Sequence, residues 1–527
     1  MPSEHFDYVV IGSGSAGGVI AARLTEDPNV SVLLLEAGPE DDDDMIHLPA
    51  GFSALFKTKW DWGYQTTPQK QLAGRRADWP RMKALGGCSS MNAMIYIRGN
   101  RADYDEWRDA YGADGWGYDD VLPYFVKAEG NTRLGGPFHG TDGPLRVEDR
   151  RYNHELSHAF IESAVAAGFK RTDDFNGAEQ EGIGFYQVTC KKGRRWSVAD
   201  AYIHPNRNRH NFTVRTEAFV QRIEMEGNRA TGVTYQRGNI TETVTADAEV
   251  ILSAGAVASP QILMLSGIGP GAHLREMGID VRVDSAGVGQ NLQDHPVSGG
   301  LFYTSGTSDL AEFLTMGNLL KAQKAGRGPL SSNLAEAGGF FKSRDDLDAP
   351  DLQFHMVPGG FYDNGLHEPV RRGLTIAPTL VRVESRGHIK LRSADPTWHP
   401  EIEPGYFDDG ADLDAMVAAY GRLFEIVDQG PVATFIDEPW DPPTANPTHD
   451  DVLATIGRLC QTLYHPVATC AMGTIEGSVV GPDLRVHGVE NLRVADASVM
   501  PAVPRGNTNA PTIMVGEKAA DLIKEAR

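Results

Sequence analysis

Cysteine is scarce in this chain, positive charge is in deficit, and no run of about eighteen apolar residues occurs. Four cysteines, Cys88, Cys190, Cys460 and Cys470, stand far apart with no C-x-x-C pair among 527 residues. That spacing suggests neither a zinc ribbon nor a disulfide framework, and it fits a reducing, cytoplasmic compartment. No metal site is expected, although His154 and His158 in "HELSH" have the H-x-x-x-H spacing. A net charge of −22 argues against nucleic acid and anionic membranes as partners, because a phosphate surface needs a positive footprint. Without a long apolar run no transmembrane segment is expected, although peripheral membrane contact stays open. The N-terminus does not read as a signal peptide, because Glu4 and Asp7 stand where basic residues belong and glycines interrupt its apolar part.

What is present is an α/β opening. From Tyr8 the chain reads apolar strand ("YVVIG"), glycine turn, helix ("GGVIAARLTED") and second strand ("VSVLLLEAG"). Gly12, Gly14 and Gly17 form G-x-G-x-x-G, and Glu36 follows Gly17 by nineteen residues. The first glycine allows a tight turn, the second lets a pyrophosphate approach the backbone, and the third lets helix pack on strand. The helix N-terminus adds partial positive charge to the same place. Ser15 and Ala16 belong to this turn, and Ala37 follows the acidic residue. Glu36 is suited to ribose hydroxyls and, by like-charge repulsion, disfavours a 2′-phosphate. FAD and NAD both fit such a turn.

Further on, "AEVILSAGAVASPQILMLSGIGP" gives another apolar strand and helix, expected in the same sheet as "YVVIG". "ENLRVADASVMP" gives a third short strand, and "APTIMVGEKAADLI" a closing helix with proline in its first turn. Between Gly300 and about Ile456 the texture changes. "PDLQFHMV", "GLTIAPTLVRV" and "GHIKLRS" read as short strands of a mostly antiparallel second domain. The run Asp41 to Asp44 reads as a solvated loop.

Five blocks decide the cofactor. "RMKALGGCSSMNAMIYIRGNRADYDEW" from Arg81, "GAVASPQILMLSGIGP" from Gly255, "GVGQNLQDHP" from Gly287, "HPVATCAMG" from His465 and "LRVADASVMPAVPRGNTNAPTIMVGEKAAD" from Leu492 resemble the glucose-methanol-choline family of FAD oxidoreductases. The resemblance runs along nearly the whole chain in the family's order. It implies a Rossmann-like FAD-binding domain (α/β) interleaved with a mostly antiparallel-sheet substrate domain (α+β). Residues 1–155, 196–299 and 457–527 would form the first, and 156–195 and 300–456 the second. Leu85, Gly86, Gly87, Ser90, Asn92 and Ala93 match the loop against the flavin ring. Asp496 and Ala497 match residues near the ribityl and pyrophosphate portion, and Val220 an adenine-side contact.

The resemblance makes His465 the catalytic histidine, a neutral imidazole able to take the hydroxyl proton as the carbinol hydride leaves for flavin N5. A second residue, His or Asn, faces it in the family; "GNTN" offers Asn507, favoured by position, and Asn509. An amide here would hold the developing alkoxide and leave the proton to His465. His295 in "QDHP" reads as structural, and His139, His204 and His487, beside turn residues, as ordinary polar positions. Relatives with covalent FAD carry histidine where this chain has Met91, so non-covalent FAD is expected. Choline specialists carry a glutamate nine residues after the aspartate of "QDHP"; that count reaches Tyr303 and disfavours choline. Oxidation of a primary aliphatic or aryl alcohol to the aldehyde is the leading expectation, with oxygen or a quinone as acceptor. A choline-type enzyme, a non-redox hydroxynitrile lyase and, remotely, a photoenzyme share the fold. The segment "LPAGFSALFKTKWDWGYQTTPQ" from Leu48 is expected to cover the site.

Overall fold

The computed structural model describes residues 4–367 and 369–527. "EHFDYVVI" forms strand β1 (Glu4–Ile11), whose inner half is buried. Helix α1 (Gly17–Leu24) follows, then the fully buried β2 (Val32–Leu35). Continuously apolar strands of this kind suit a parallel sheet covered on both faces. β1 runs parallel to β2, from Tyr8 opposite Val32 to Ile11 opposite Leu35. Beyond β2 lies β3 (Phe212–Arg215), also parallel.

A three-stranded meander completes the sheet: β4 (Ala218–Glu226), β5 (Arg229–Arg237) and β6 (Ile240–Leu252). β6 lies parallel to β1 on the side away from β2, as expected from "AEVILSAG". It leads into α2 (Gly255–Leu265). The short strand β7 (Leu492–Val494) adds to the end of β6, Val250 opposite Leu492. The closing helix α3 (Asn509–Glu525) carries Pro511 in its first turn and packs on α1.

A second sheet has seven antiparallel strands. Ala337–Phe341, Leu352–Val357, Gly373–Leu380, Pro296–Val297 and Gln461–Thr462 lie in that order, with Gly300–Thr304 and Ile436–Asp441 alongside. The helix Gly410–Val427, capped by Asp409 accepting from the Ala411 amide at 2.9 Å, covers one face with Met416, Ala419, Tyr420 and Leu423. Each large apolar side chain so buried contributes about 1.5–3 kcal/mol. "GHIKLRS" departs from its expectation, because His388–Lys390 pairs with Glu401–Glu403 in a separate ribbon.

Two segments far apart in sequence are zipped together at the edge of this sheet. Pro296 lies opposite Thr462 and Val297 opposite Gln461. The Leu463 amide donates to the His295 carbonyl at 2.9 Å, and the Val467 amide to that of Gln293 at 2.9 Å. "QDHP" and "LYHP" are thereby laid side by side.

Candidate active site

The glycine turn distributes its three glycines by task. A Cβ on Gly12, where φ is +94°, would sit 2.4 Å from the Ser253 carbonyl oxygen at the end of β6. A Cβ on Gly17 would sit 2.0 Å from the Gly12 oxygen. Both sites are closed by the fold. At Gly14 the nearest neighbour would be the Gly87 Cα at 3.9 Å, so this glycine leaves open space.

That space belongs to a cavity of about 560 Å³. One arm is lined by Gly12, Gly14, Ser15, Ala16, Glu36, Ala37, Val220, Asp496 and Ala497. The other is lined by Phe52, Phe56, Met91, Asn92, Ala93, Leu334, Phe361, Tyr464, His465 and Asn507, with Gly87 and Asn509 also on its wall. Gly17, Leu85, Gly86 and Ser90 are not on the wall. They support it: the Gly86 amide donates to Ser13 Oγ at 3.1 Å, and Ser90 Oγ donates to the Leu85 carbonyl at 2.8 Å.

Glu36 is buried and takes three hydrogen bonds, from Ser13 Oγ (2.6 Å), the Ser13 amide (3.2 Å) and the Gly38 amide (2.8 Å). Burial raises its pKa, against the pull of these donors. With about four lone-pair positions on a carboxylate, about one is left for a ribose hydroxyl. Asp496 is spent to the same degree. It accepts from the Gly255 amide (2.8 Å), Ser259 Oγ (2.6 Å) and the Ser498 amide (2.8 Å), tying β7 to the start of α2.

The flavin-type loop is held from behind by Arg195, a residue the sequence reading passed over. Its Nη1 donates to the Asn92 carbonyl (2.7 Å), Asn92 Oδ1 (2.9 Å) and the Ser89 carbonyl (3.2 Å), and its Nε to the Ile46 carbonyl (2.6 Å). Burial lowers its pKa to about 10. No carboxylate pairs with it among the described residues.

At the far end stands His465, 7% exposed. The backbone delivers it through strained neighbours, Tyr464 and Ala468, with φ of +69° and +74°. The buried carboxylate of Asp294 accepts its amide at 2.8 Å. Asp294 is held in turn by the Tyr406 hydroxyl, and burial raises its pKa. Asn507 Nδ2 lies 3.3 Å from His465 Nε2. Asn507 follows Gly506, whose φ is +125° and where a Cβ would stand 2.4 Å from Ile97 Cγ2. Asn509 looks elsewhere: its Oδ1 accepts from Ser15 Oγ at 2.8 Å. Geometry thus separates the two asparagines, one to the imidazole and one to the glycine turn.

On its other side, His465 Nδ1 lies 3.0 Å from His295 Nδ1, with the two rings perpendicular. His295 is fully buried. A third imidazole, His355, is buried on the cavity wall with Nδ1 3.1 Å from Thr379 Oγ1. Burial pushes His465 well below the ordinary imidazole range, and His295, His355 and Arg81 add to this. His295 and His355 are both lowered to about 3, chiefly by burial.

The Leu48 segment lies over the chamber. Its Phe52 and Phe56 meet at 6.0 Å, Phe52 reaches Phe361 at 6.3 Å, and Phe56 reaches Tyr464 at 5.6 Å. Tyr303, by contrast, stacks on Trp440 at 5.1 Å with Arg371 over its ring, away from the cavity wall. The wall there is Val297, Ser298 and Gly299, so the count from "QDHP" to Tyr303 tested the wrong position.

Two sequence readings of polar residues differ from the structure. His139 is buried between Glu129 and Asp174, and these carboxylates raise its pKa to about 8 against the effect of burial. In the acidic run, Asp41 is buried and accepts from His204 at 2.9 Å, and Asp43 caps the helix Asp44–His47; only Asp42 and Asp44 are exposed. Among the described residues no group of three His, Cys, Asp or Glu could hold a metal ion. No described helix is long and apolar enough to cross a membrane.

A nucleotide-binding glycine turn that opens into a chamber containing a buried neutral imidazole defines a dinucleotide-dependent oxidoreductase. The GMC oxidoreductase models match residues 6–297 (N-terminal) and 383–516 (C-terminal), and the chain belongs to that family. It is 43% identical over 527 residues to an alcohol dehydrogenase (acceptor) of Pseudomonas putida, covering 98% of this chain and 95% of that one. It is 41% identical over 538 residues to the mitochondrial choline dehydrogenase of Homo sapiens, covering 99% and 90%. Among solved structures, pyridoxine 4-oxidase from Mesorbium loti superimposes with a TM-score of 0.89 at 30% identity, covering 98% of each chain. A formate oxidase superimposes with a TM-score of 0.92 at 29% identity, covering 100% of this chain and 99% of that one. The chain is an oxidoreductase acting on CH–OH donors.

Proposed function

We propose that this FAD-dependent enzyme oxidises an uncharged primary alcohol, aliphatic or aryl, to the aldehyde. The observation that carries this reading is the His465–Asn507 pair at the end of an aromatic chamber continuous with the nucleotide arm. FAD, when bound, supplies N5 as the acceptor of the carbinol hydride. Gly14, Ser15, Glu36 and Val220 would hold its ADP half, and the loop from Gly87 to Ala93 its ring. With Met91 in that loop, 3% exposed and lacking a ring nitrogen, the cofactor is bound without a covalent link. On this reading residues 1–155, 196–299 and 457–527 make up the cofactor domain, which also lends Phe52, Phe56, Tyr464, His465 and Asn507 to the substrate chamber, and 156–195 and 300–456 make up the second domain, which adds Leu334, His355 and Phe361.

His465 is neutral at pH 7 because burial disfavours its charge, so Nε2 is free to take the hydroxyl proton. Asn507 donates from Nδ2 to the substrate oxygen, stabilising the charge that develops as the proton leaves. Phe52, Phe56, Phe361 and Tyr464 exclude water from the reacting bond.

Neutral substrates are favoured over choline because the carboxylates of the wall, Glu36, Asp61 and Asp496, are already engaged and stand away from the base. Glu36 and Asp496 are committed as described above, and Asp61 accepts from the amides of Lys57 (2.9 Å), Gly63 (3.1 Å) and Arg81 (2.9 Å). None of them stands beside His465 to offset a trimethylammonium. The test is anaerobic reduction of the flavin by a panel of primary alcohols that includes choline, followed by air. Bleaching by neutral alcohols supports the proposal; quick recovery with peroxide makes oxygen the acceptor, and slow recovery means a dehydrogenase that uses another acceptor. Bleaching by choline alone, or by no alcohol, refutes it, the latter in favour of a lyase. His465→Ala should slow reduction by about 10² to 10⁴.

A further inference from the structure

Two neutral imidazoles 3.0 Å apart, nitrogen to nitrogen, can share that contact in one way only: one Nδ1 carries the proton and the other accepts it. The opposite ring nitrogen of His465 decides which. Nε2 faces the donor Nδ2 of Asn507, so it presents a lone pair and the His465 proton sits on Nδ1. His295 Nδ1 must then be the acceptor, with its own proton on Nε2.

We infer that His295 is a positioning residue for the base: its Nδ1 lone pair holds the Nδ1 proton of His465 and keeps Nε2 bare toward the substrate. The inference rests on His465 being the base. The proton taken from the alcohol goes to Nε2, and the Nδ1 proton stays in its hydrogen bond to His295. A carboxylate in this place would also fix the tautomer, but its charge would raise the basicity of His465 and favour a protonated resting state. An imidazole fixes the tautomer without charge.

The surroundings support a neutral acceptor. His295 is held by the zipper of "QDHP" and "LYHP", through its carbonyl to the Leu463 amide. Its Nε2 makes no close hydrogen bond among the described residues, yet the Val381 carbonyl favours a proton on the ring. The charged and titratable groups facing the pair are His355, Arg505 and Arg81, which all oppose positive charge, and Asp294, engaged by Tyr406 and the His465 amide.

Three variants separate tautomer control from packing. His295→Asn puts a carbonyl oxygen where Nδ1 stands, His295→Gln puts it where Nε2 stands, and His295→Leu has no acceptor. Each holoenzyme is assayed by anaerobic stopped-flow reduction with a primary alcohol across pH. Nitrogen-15 spectra of labelled holoenzyme read the His465 tautomer independently of turnover. The expected result is a loss of about 10 to 100-fold in the reduction rate for Leu and Gln, with the proton of His465 distributed over both nitrogens, by analogy with other supports of a functional imidazole. Asn should restore the rate to within a few-fold and the Nδ1–H form alone. If Leu fails to fold, the Asn and Gln pair still decides. The inference is overturned if Gln or Leu keeps the wild-type rate, or if Asn and Gln lose rate equally while His465 keeps its tautomer. An unaltered rate in His465→Ala would instead remove the base assignment itself, while the nitrogen-15 result would still report the hydrogen bond.

Discussion

Replacing Asn507 by aspartate changes one atom type at the site and gives a calculable effect. Asn507 Nδ2 stands 3.3 Å from His465 Nε2, so a carboxylate there faces the imidazole almost in contact. At an effective dielectric constant of ~20, two unit charges at this distance attract by about 5 kcal/mol, or about 3 to 4 pH units on His465. Burial holds the wild-type imidazole well below its ordinary value, and the new charge opposes that directly. The sign follows: Asn507→Asp raises the pKa of His465, so the base stays protonated to a higher pH than in the wild type and is released only as pH rises. Wild-type flavin reduction should be nearly flat from pH 6 to 9, and the acid limb of the variant should lie at higher pH than that of the wild type. Asn507→Ala should instead lower the rate by about 10² to 10³ at every pH, as expected for loss of one donor to a developing oxyanion. Anaerobic stopped-flow reduction at saturating alcohol distinguishes these outcomes. A flat profile at the wild-type rate for Asn507→Asp would mean that Asn507 does not face the base in the working enzyme.

Acid precipitation should release the yellow chromophore into the supernatant as FAD, because Met91 offers no nitrogen for a covalent bond; pigment retained in the pellet would contradict this. Arg195→Met should cost about 3–5 kcal/mol and weaken FAD retention, since several carbonyl acceptors behind the flavin loop lose their donor together; thermal unfolding and flavin fluorescence check it. Lowering pH from 7 to 5.5 should destabilise the fold through His295 and His355, by about 1.2 kcal/mol each, because both stay neutral when folded, at about 3, and titrate near 6.5 when unfolded. His139, raised to about 8, gains about half as much over that range, and His355→Asn should flatten the slope in urea unfolding.

What could be read from the sequence was whatever is local. The glycine turn, Glu36 and the strand–helix–strand opening depend on neighbours within about thirty residues, and the structure places them as that pattern requires. His465 was legible through the blocks around it. Contacts made by distant residues left no such trace. Arg195 sits in "GRRWS", which looks like exposed basic sequence until the fold lays it against Asn92 and Ile46. His355 lies on an alternating strand, where a buried imidazole and a surface one look alike. His295 and His465 meet only because two short strands pair across 170 residues of chain. Tyr303 failed as a marker for the same reason: a count along the chain does not say which residue a sheet edge turns inward. Choosing between Asn507 and Asn509 needed the geometry of a single turn, which Gly506 sets.

The bond from Ser15 Oγ to Asn509 Oδ1 joins the first cofactor turn to the last helix across 494 residues. Asn509 stands two residues beyond Asn507, so on the proposed reading the grip on the dinucleotide and the grip on the alcohol oxygen would share one short piece of backbone. The enzyme is in this respect a closed loop, its first turn and its last helix fastened together at the glycine turn. Emptying the nucleotide arm would slacken the substrate end as well, and apoenzyme should bind alcohol poorly even though no alcohol contact has been removed.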